Sequence, residues 1–424
     1  MFAQGLMLGL LCHPFVIRNP MQSTSPLRWL VLFGVWSIYG TFGLIATSLA
    51  PLVALIERDL GMSHGAMGTV MGAWQLVYIA AALPCGVLLD RLGARWALLI
   101  GGLCVAASAY GRSRATDFTG LMLAVMLFGV GGPIISAGAP KVIASWFHGA
   151  SRGFAMGIYI TGPAIGGVVS LTLTHGWLLP HYHDNWRQIL VLWSAFAAVT
   201  SVLWWCLASL PGICPLADER LASASAPQHE MIFGLLAQPS VRLVLLMAVG
   251  VFLISHGLSN WLPALLVHGG MPQVVAGYWA SVPTVVGIIG ALSIPRLAVP
   301  ARRFRILAAL SIAIVSASVL LQFHNHFLLM PGLVLQGIAR STITTVLLLI
   351  LIELPEIGTR NTGTASGLFF GAGEVGGMLG PLLLGLLYEY THGFAVGLAL
   401  FTVIGLALLG GVRRLRAHAA RGAG

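Results

Sequence analysis

Leu83-Pro-Cys-Gly86-Val-Leu-Leu-Asp90-Arg91-Leu-Gly93-Ala-Arg95-Trp96-Ala-Leu-Leu-Ile100 decides how this chain is read. Its two ends are apolar, and its middle, Asp90 to Arg95, is a short polar turn carrying two arginines. Each end belongs to a longer apolar run, near 66–89 on one side and 96–111 on the other. Runs of about 20 such residues cross a hydrocarbon core of about 30 Å as a helix, so the stretch reads as a tight connection between two membrane crossings.

Composition extends that reading to the whole chain. Of 424 residues, 58% are hydrophobic and only 8% charged, against roughly 25% charged in a soluble domain. Lipid is therefore the solvent, and the bilayer is the first partner. The 53 Gly and 21 Pro would break soluble helices, but packed membrane helices satisfy the freed backbone groups. The net charge of +10 is spread over short loops, not gathered in a basic domain, which argues for membrane orientation and against a nucleic-acid partner. Cys12, Cys85, Cys104, Cys206 and Cys214 show no C-x-x-C spacing, so neither a disulfide framework nor a zinc site is expected. Arginine outnumbers lysine 21 to 1, as in a GC-rich, bacterial genome, and Lys141 is the exception. The opening stretch from Gly5 to Cys12 lacks the features of a signal peptide, and translation from Met21 is an alternative that N-terminal sequencing tests.

The remaining apolar runs fall near 29–55, 119–145, 154–179 and 188–209, then 242–267, 274–295, 305–322, 328–354, 364–389 and 394–412. The expected architecture is an all-α polytopic membrane protein with twelve transmembrane helices in two six-helix bundles, 29–209 and 242–412. Residues 1–28 make an N-terminal segment, 210–241 a linker and 413–424 a basic tail. Arg91 and Arg95, Arg152, Arg220, Arg302, Arg303 and Arg305, Arg360 and the tail arginines all fall on one side. The positive-inside rule makes that side cytoplasmic, with both termini and the linker, in a bacterial inner (plasma) membrane. The halves also repeat. Gly129 and Arg152 match Gly337 and Arg360 at an offset of 208, and Gly157, Gly166 and Gly167 match Gly367, Gly376 and Gly377 at 210.

The segment Gly86 to Trp96, placed after the second span and on the positive side, resembles the signature loop of the major facilitator superfamily. Gly371-Ala-Gly-Glu374-Val-Gly-Gly-Met-Leu-Gly380-Pro381 resembles an eleventh-span pattern of that superfamily. Gly157 to Gly167 resembles, more faintly, cyanate-permease-like and related organic-anion carriers. The likeness runs from about Arg28 to Arg416, although the second half's counterpart of the signature, Arg296 to Arg305, keeps only its basic character. It implies a secondary transporter in which two bundles rock around a small-molecule site near the midplane. It also implies that spans three, six, nine and twelve stand outside while the others line the cavity. In the family pattern Gly86 permits close helix approach, Asp90 caps or pairs at a helix terminus, and Arg91 and Arg95 hold the turn around Gly93. Those residues serve gating and not substrate contact.

A charge within the hydrocarbon is costly unless paired or hydrated, so intramembrane ionisable residues are functional candidates by default. Arg340 falls near the middle of span ten, Glu374 of span eleven and His256 of span seven. Arg340 presents a permanent cation and a fork suited to a carboxylate; the other reading is a standing ion pair with Glu374. Glu374 is a proton site or a lock between helices. His256 is a proton relay, a donor to substrate, or a side chain bonded to a neighbour. Lys141 either meets an anion from the first half or snorkels to the interface. Tyr39, Gln75, Tyr159, Asn260 and Gln336 complete the expected substrate contacts, and Trp74, Tyr78 and Trp261 are further candidates on the cavity helices.

The leading expectation is transport of a small organic solute, anionic because of Arg340, by proton-coupled symport or exchange. Proton-coupled efflux of hydrophobic or cationic compounds is the rival. A polytopic membrane enzyme would need a catalytic constellation such as H-E-x-x-H, and none appears. His181, His183, His324 and His326 supply too few ligands for a closed metal site unless their loops meet. A non-transporting sensor on the same scaffold stays open. No cofactor, metal or second copy of the chain is called for by the sequence.

Overall fold

Every apolar run becomes a helix. The computed structural model describes residues 26–147, 149–210, 213, 228–294, 297–298, 302–323, 325–354, 357 and 362–421. The first bundle holds α1 (Leu27–Leu60), α2 (His64–Ala82), α3 (Arg91–Arg114), α4 (Phe118–Ile143), α5 (Phe154–His181) and α6 (Trp186–Ala208). The second holds α7 (Pro239–His268), α8 (Gln273–Ala291), α9 (Arg303–Leu320), α10 (Phe327–Ile352), α11 (Thr364–Thr391) and α12 (Ala395–His418). A further helix, Gln228–Ala237, falls within the stretch expected as linker. Met21, the rest of that linker from 214 to 227, His324, Arg360 and the side chains of Asp90, Arg152 and His326 lie outside the described residues.

Short polar residues start the helices. Ser63 accepts from the Ala66 amide at 3.2 Å, Asp117 from Gly120 at 2.7 Å, Asn185 from Gln188 at 3.3 Å and Asn325 from Phe327 at 3.0 Å, capping α2, α4, α6 and α10. Between α2 and α3 the chain reverses at Gly93, whose φ of 73° and ψ of 161° suit only glycine.

Helix α1 is broken near Pro51, which has no N–H and excludes helix at the residue before it, leaving a 3-10 turn at Ala50–Leu52. The Ile45 carbonyl and the Ser48 hydroxyl at the break accept from Arg112 Nη1, at 2.9 and 3.2 Å. Arg112 is only 2% exposed and lies over the Phe128 ring, 5.4 Å from its centroid. The sequence places Arg112 in a loop after a span ending near 111. The structure corrects this: α3 continues to Arg114, because the broken α1 supplies acceptors that let the bundle hold the guanidinium inside.

The repeat is visible as contact. A Cβ on Gly129 would stand 2.3 Å from the Trp74 oxygen of α2, and one on Gly337 2.3 Å from the Pro283 oxygen of α8. One on Gly166 would stand 1.9 Å from the Gly40 oxygen of α1, and one on Gly376 1.9 Å from the Val249 oxygen of α7. The same glycine thus lets the same two backbones touch in each bundle. The bundles meet by the same means. Gly68 and Gly72 of α2 lie against the Pro381 and Met378 carbonyls of α11, and Gly277 of α8 against the Leu171 carbonyl of α5.

These contacts lie away from the basic loops, on what we term the sealed side. There Gly65 donates its amide to Glu389 at 3.0 Å, and His64 stacks on Tyr388 at 4.0 Å and on Trp261 at 5.2 Å. His64 also meets Glu57 at 3.2 Å, and His268 meets the Tyr388 hydroxyl at 3.2 Å. On the basic side the bundles part. Among the described residues, Gly86, Gly367 and Gly371 have nothing within 4 Å of where a Cβ would stand, and Leu76, Val87 and Phe370 are exposed. The close helix approach expected at Gly86 is not formed, because its side of the molecule is the open one.

Candidate functional site

Residues of three helices converge where the bundles last touch before parting. Gly376 brings α11 against α7, and the adjacent Gly377 leaves room above it for side chains of α2 and α7. Gln75 Nε2 of α2 lies 3.2 Å from His256 Nδ1 of α7 and donates to the Gly377 carbonyl at 3.4 Å. The His256 ring stands between Trp74, at 6.0 Å, and Phe252, at 5.8 Å. Glu374, one turn before Gly377, is buried, as is Gln75. Two oxygens here, Gln75 Oε1 and Glu374 Oε2, are enclosed and unbonded among the described residues.

Arg340 sits near the middle of α10, half-buried. Its Nη1 donates to the Ser259 hydroxyl of α7 and its Nη2 to the Thr284 hydroxyl of α8 at 3.2 Å. The ion pair with Glu374 weighed from the sequence is not formed, and among the described residues no carboxylate pairs with Arg340. Gln336, a turn away, is buried and shares a crevice with Ser255, Ser318 and Arg340.

The first bundle faces this group with an aromatic wall. Tyr39 of α1 stacks on Tyr159 of α5 at 5.5 Å and on Phe42 at 5.6 Å, and Phe42 stacks on Phe128 at 4.9 Å. The Tyr78 and Ser136 hydroxyls bond at 2.7 Å. Asn260 donates to the His256 carbonyl at 2.9 Å, back along its own helix. Lys141 is exposed near the basic end of α4, apart from the midplane residues. In the signature turn Arg91 is exposed, and Arg95 lies over Trp96 at 5.4 Å and Trp205 of α6 at 5.3 Å, tying the turn to α6.

His175 escapes the sequence pattern. It is buried in the π-helical turn Thr174–Leu178 of α5, against Gly277 of α8. The signal is a histidine inside an apolar run, but so near the run's end that a loop position is the ordinary reading.

A family model described as the Major Facilitator Superfamily matches residues 35–321. The chain belongs to the Major Facilitator Superfamily. This superfamily member is 27% identical to the quinolone resistance transporter of Acinetobacter baumannii, over 86% of this chain and 91% of that protein. It is 24% identical to the D-galactonate transporter of Escherichia coli, over 87% of this chain and 92% of that protein. It is 23% identical to the hexuronate transporter of Bacillus subtilis, over 84% of this chain and 88% of that one. Among solved structures, a bacterial homolog of the lysosomal transporter Spinster, inward-facing and unoccupied, matches with a TM-score of 0.73 at 17% identity, covering 92% of this chain and 98% of that one. The nucleoside transporter NupG matches with a TM-score of 0.73 at 13% identity, covering 93% of this chain and 99% of that one. The fold is therefore the two-bundle transporter fold, and the partners are a lipid bilayer and a small-molecule substrate.

Proposed function

We propose that this chain carries a small organic anion across a bacterial inner membrane by alternating access, and that Arg340 receives the anion. The observation behind this is the company Arg340 keeps. Two neutral hydroxyls hold the guanidinium near the midplane, and no described carboxylate balances it. An anionic substrate supplies the missing charge and engages the planar fork with two hydrogen bonds. Tyr39 and Tyr159 offer hydroxyls and ring faces from the opposite bundle. Gln336 and Asn260 line the Arg340 side, and Lys141 meets the anion at the basic end of the cavity. Relatives named for D-galactonate and hexuronate support an acid as cargo. On this reading the basic side is cytoplasmic, both termini lie on it, and a single copy is sufficient. The turn of Gly86, Asp90, Arg91, Gly93 and Arg95 gates the cytoplasmic mouth.

One relative's name and the aromatic wall favour a second reading, proton-coupled efflux of flat hydrophobic or cationic compounds. A ligand-stabilisation screen of the purified protein in detergent separates the two, with sugar acids and other organic anions in one panel and amines and cationic drugs in the other. Organic anions raise the melting temperature of the wild type. Arg340→Ala weakens their binding about 10- to 150-fold, since hydrogen bonds to a charged group are worth about 1.5–3 kcal/mol. Stabilisation by cationic drugs alone, unchanged in Arg340→Ala, refutes the anion reading.

A further inference from the structure

We propose that Glu374 and Gln75 together form the coupling-proton site, and that it is complete only while the bundles touch on the sealed side. The proposal rests on alternating access and not on the identity of the cargo. It decides between the two ways of driving transport that the sequence leaves open, symport with a proton and exchange.

Glu374 Oε2 and Gln75 Cγ lie 2.8 and 3.3 Å from one point, the place where a Cβ on Gly377 would sit. The carboxyl and the amide therefore share the small space over that glycine. Their two unbonded oxygens are enclosed there, Gln75 being 0% and Glu374 8% exposed. Reversing the amide does not cure this. Nε2 donates to the Gly377 carbonyl at 3.4 Å, and that carbonyl can only accept, so the flip would give up this bond and set two acceptors facing each other. With Nε2 also directed at His256 Nδ1, that imidazole nitrogen accepts and its ring proton sits on Nε2. One proton resolves the arrangement. Added to the Glu374 carboxylate, it makes a hydroxyl that donates to Gln75 Oε1, and both orphaned oxygens gain a partner.

The other carboxyl oxygen, Glu374 Oε1, is not among the enclosed unbonded atoms, and on this proposal it is the oxygen that water reaches from the open basic side. That gives the proton a way in and out: hydronium transfers it to the carboxylate, and the reverse step returns it to water. No other bond changes.

Gln75 belongs to the first bundle, whereas Glu374, His256 and Gly377 belong to the second. Parting of α2 from α11 therefore dismantles the site. A bound proton favours the sealed arrangement, and its loss to the basic side sets two acceptors against each other and favours reopening. Titratable groups that face Glu374 or its neighbour His256 are Tyr78 from α2 and Arg340 from α10. The turn Ala50–Leu52, beside α7, and α12, beside α11, bring no charged residue to this depth.

The test needs no substrate. Spin labels on Thr116→Cys and Phe327→Cys, exposed on the sealed side and one per bundle, report its opening in the full-length chain freed of native cysteines. Distances are measured by pulsed EPR from pH 5 to pH 9. In the wild type the open-to-sealed ratio rises with pH by up to about tenfold per unit, the slope of one coupled proton. Glu374→Gln keeps N–H donors at every pH and stays sealed. Gln75→Leu, a second and independent arm, removes the acceptor, and Glu374→Gln then has no further effect. Glu57, His64, His268 and Glu389 of the seal are the same in every variant, so the readout is the difference between curves. A Glu374→Gln curve that follows the wild type overturns the proposal, and so does a Gln75→Leu curve that does. Neither result touches the anion reading, which the ligand screen decides separately.

Discussion

Gly68→Ala tests whether α2 and α11 form a contact that belongs to one state only. The new methyl would stand 2.4 Å from the Pro381 oxygen and 3.1 Å from its carbonyl carbon, where real Cβ atoms keep beyond 3.0 Å. The two helices must separate by about 0.6 Å or more to admit it. Overpacking of that kind costs about 1–3 kcal/mol. The cost falls on the sealed arrangement alone, because the contact vanishes once the bundles part there. The open-to-sealed ratio should therefore rise about 5- to 150-fold. A cysteine at Thr69, one residue further along α2 and half-buried, reads this out as its rate of alkylation by a charged maleimide. That rate follows the open fraction when opening is fast. An unchanged rate in a folded Gly68→Ala protein refutes the assignment of this contact to the seal. An equal rise at a cysteine replacing Ser108, which is buried inside the first bundle, refutes it as well by revealing general loosening.

Two further outcomes follow from contacts inside a bundle. Gly376→Ala puts its methyl 1.9 Å from the Val249 oxygen, so it lowers the melting temperature in detergent, at the upper end of about 1–3 kcal/mol, without favouring either state in the alkylation assay. Arg112→Met preserves bulk but leaves the Ile45 carbonyl without that donor, which costs about 1–3 kcal/mol in thermal unfolding; Arg112→Lys recovers part of it.

The helices, their number and their pairing across the halves were legible because each is a one-dimensional signal. Apolar length sets the crossings, and a glycine recurring at a fixed offset reappears as the same backbone contact, Gly166 on α1 and Gly376 on α7. The site was legible as a set of residues and not as a set of partners. Arg340 and Glu374 stand out as charges in apolar spans, yet Arg340 is held by Ser259 and Thr284, hydroxyls that carry no mark in a sequence. Gln75 meets His256 across 181 positions, a distance no periodicity reports. Arg112 looks like a loop residue until α1 is seen to break beside it. Gly86 was read as a contact because a sequence holds every state of a moving protein at once, whereas the structure holds one.

The seal itself has a mechanical consequence. At Gly68 and Gly72 a bare backbone rests on a bare carbonyl, so nothing interlocks there and no rotamer has to turn for the surfaces to slide apart. Close approaches of this type contribute only about 0.5–1 kcal/mol each. The two bundles thus behave like plates on a greased bearing held by a few small latches, the His64 stack, the Glu389 bond and the Gln75 bridge. Travel between positions is then governed by those latches, each adjustable by a single codon without recutting the plates.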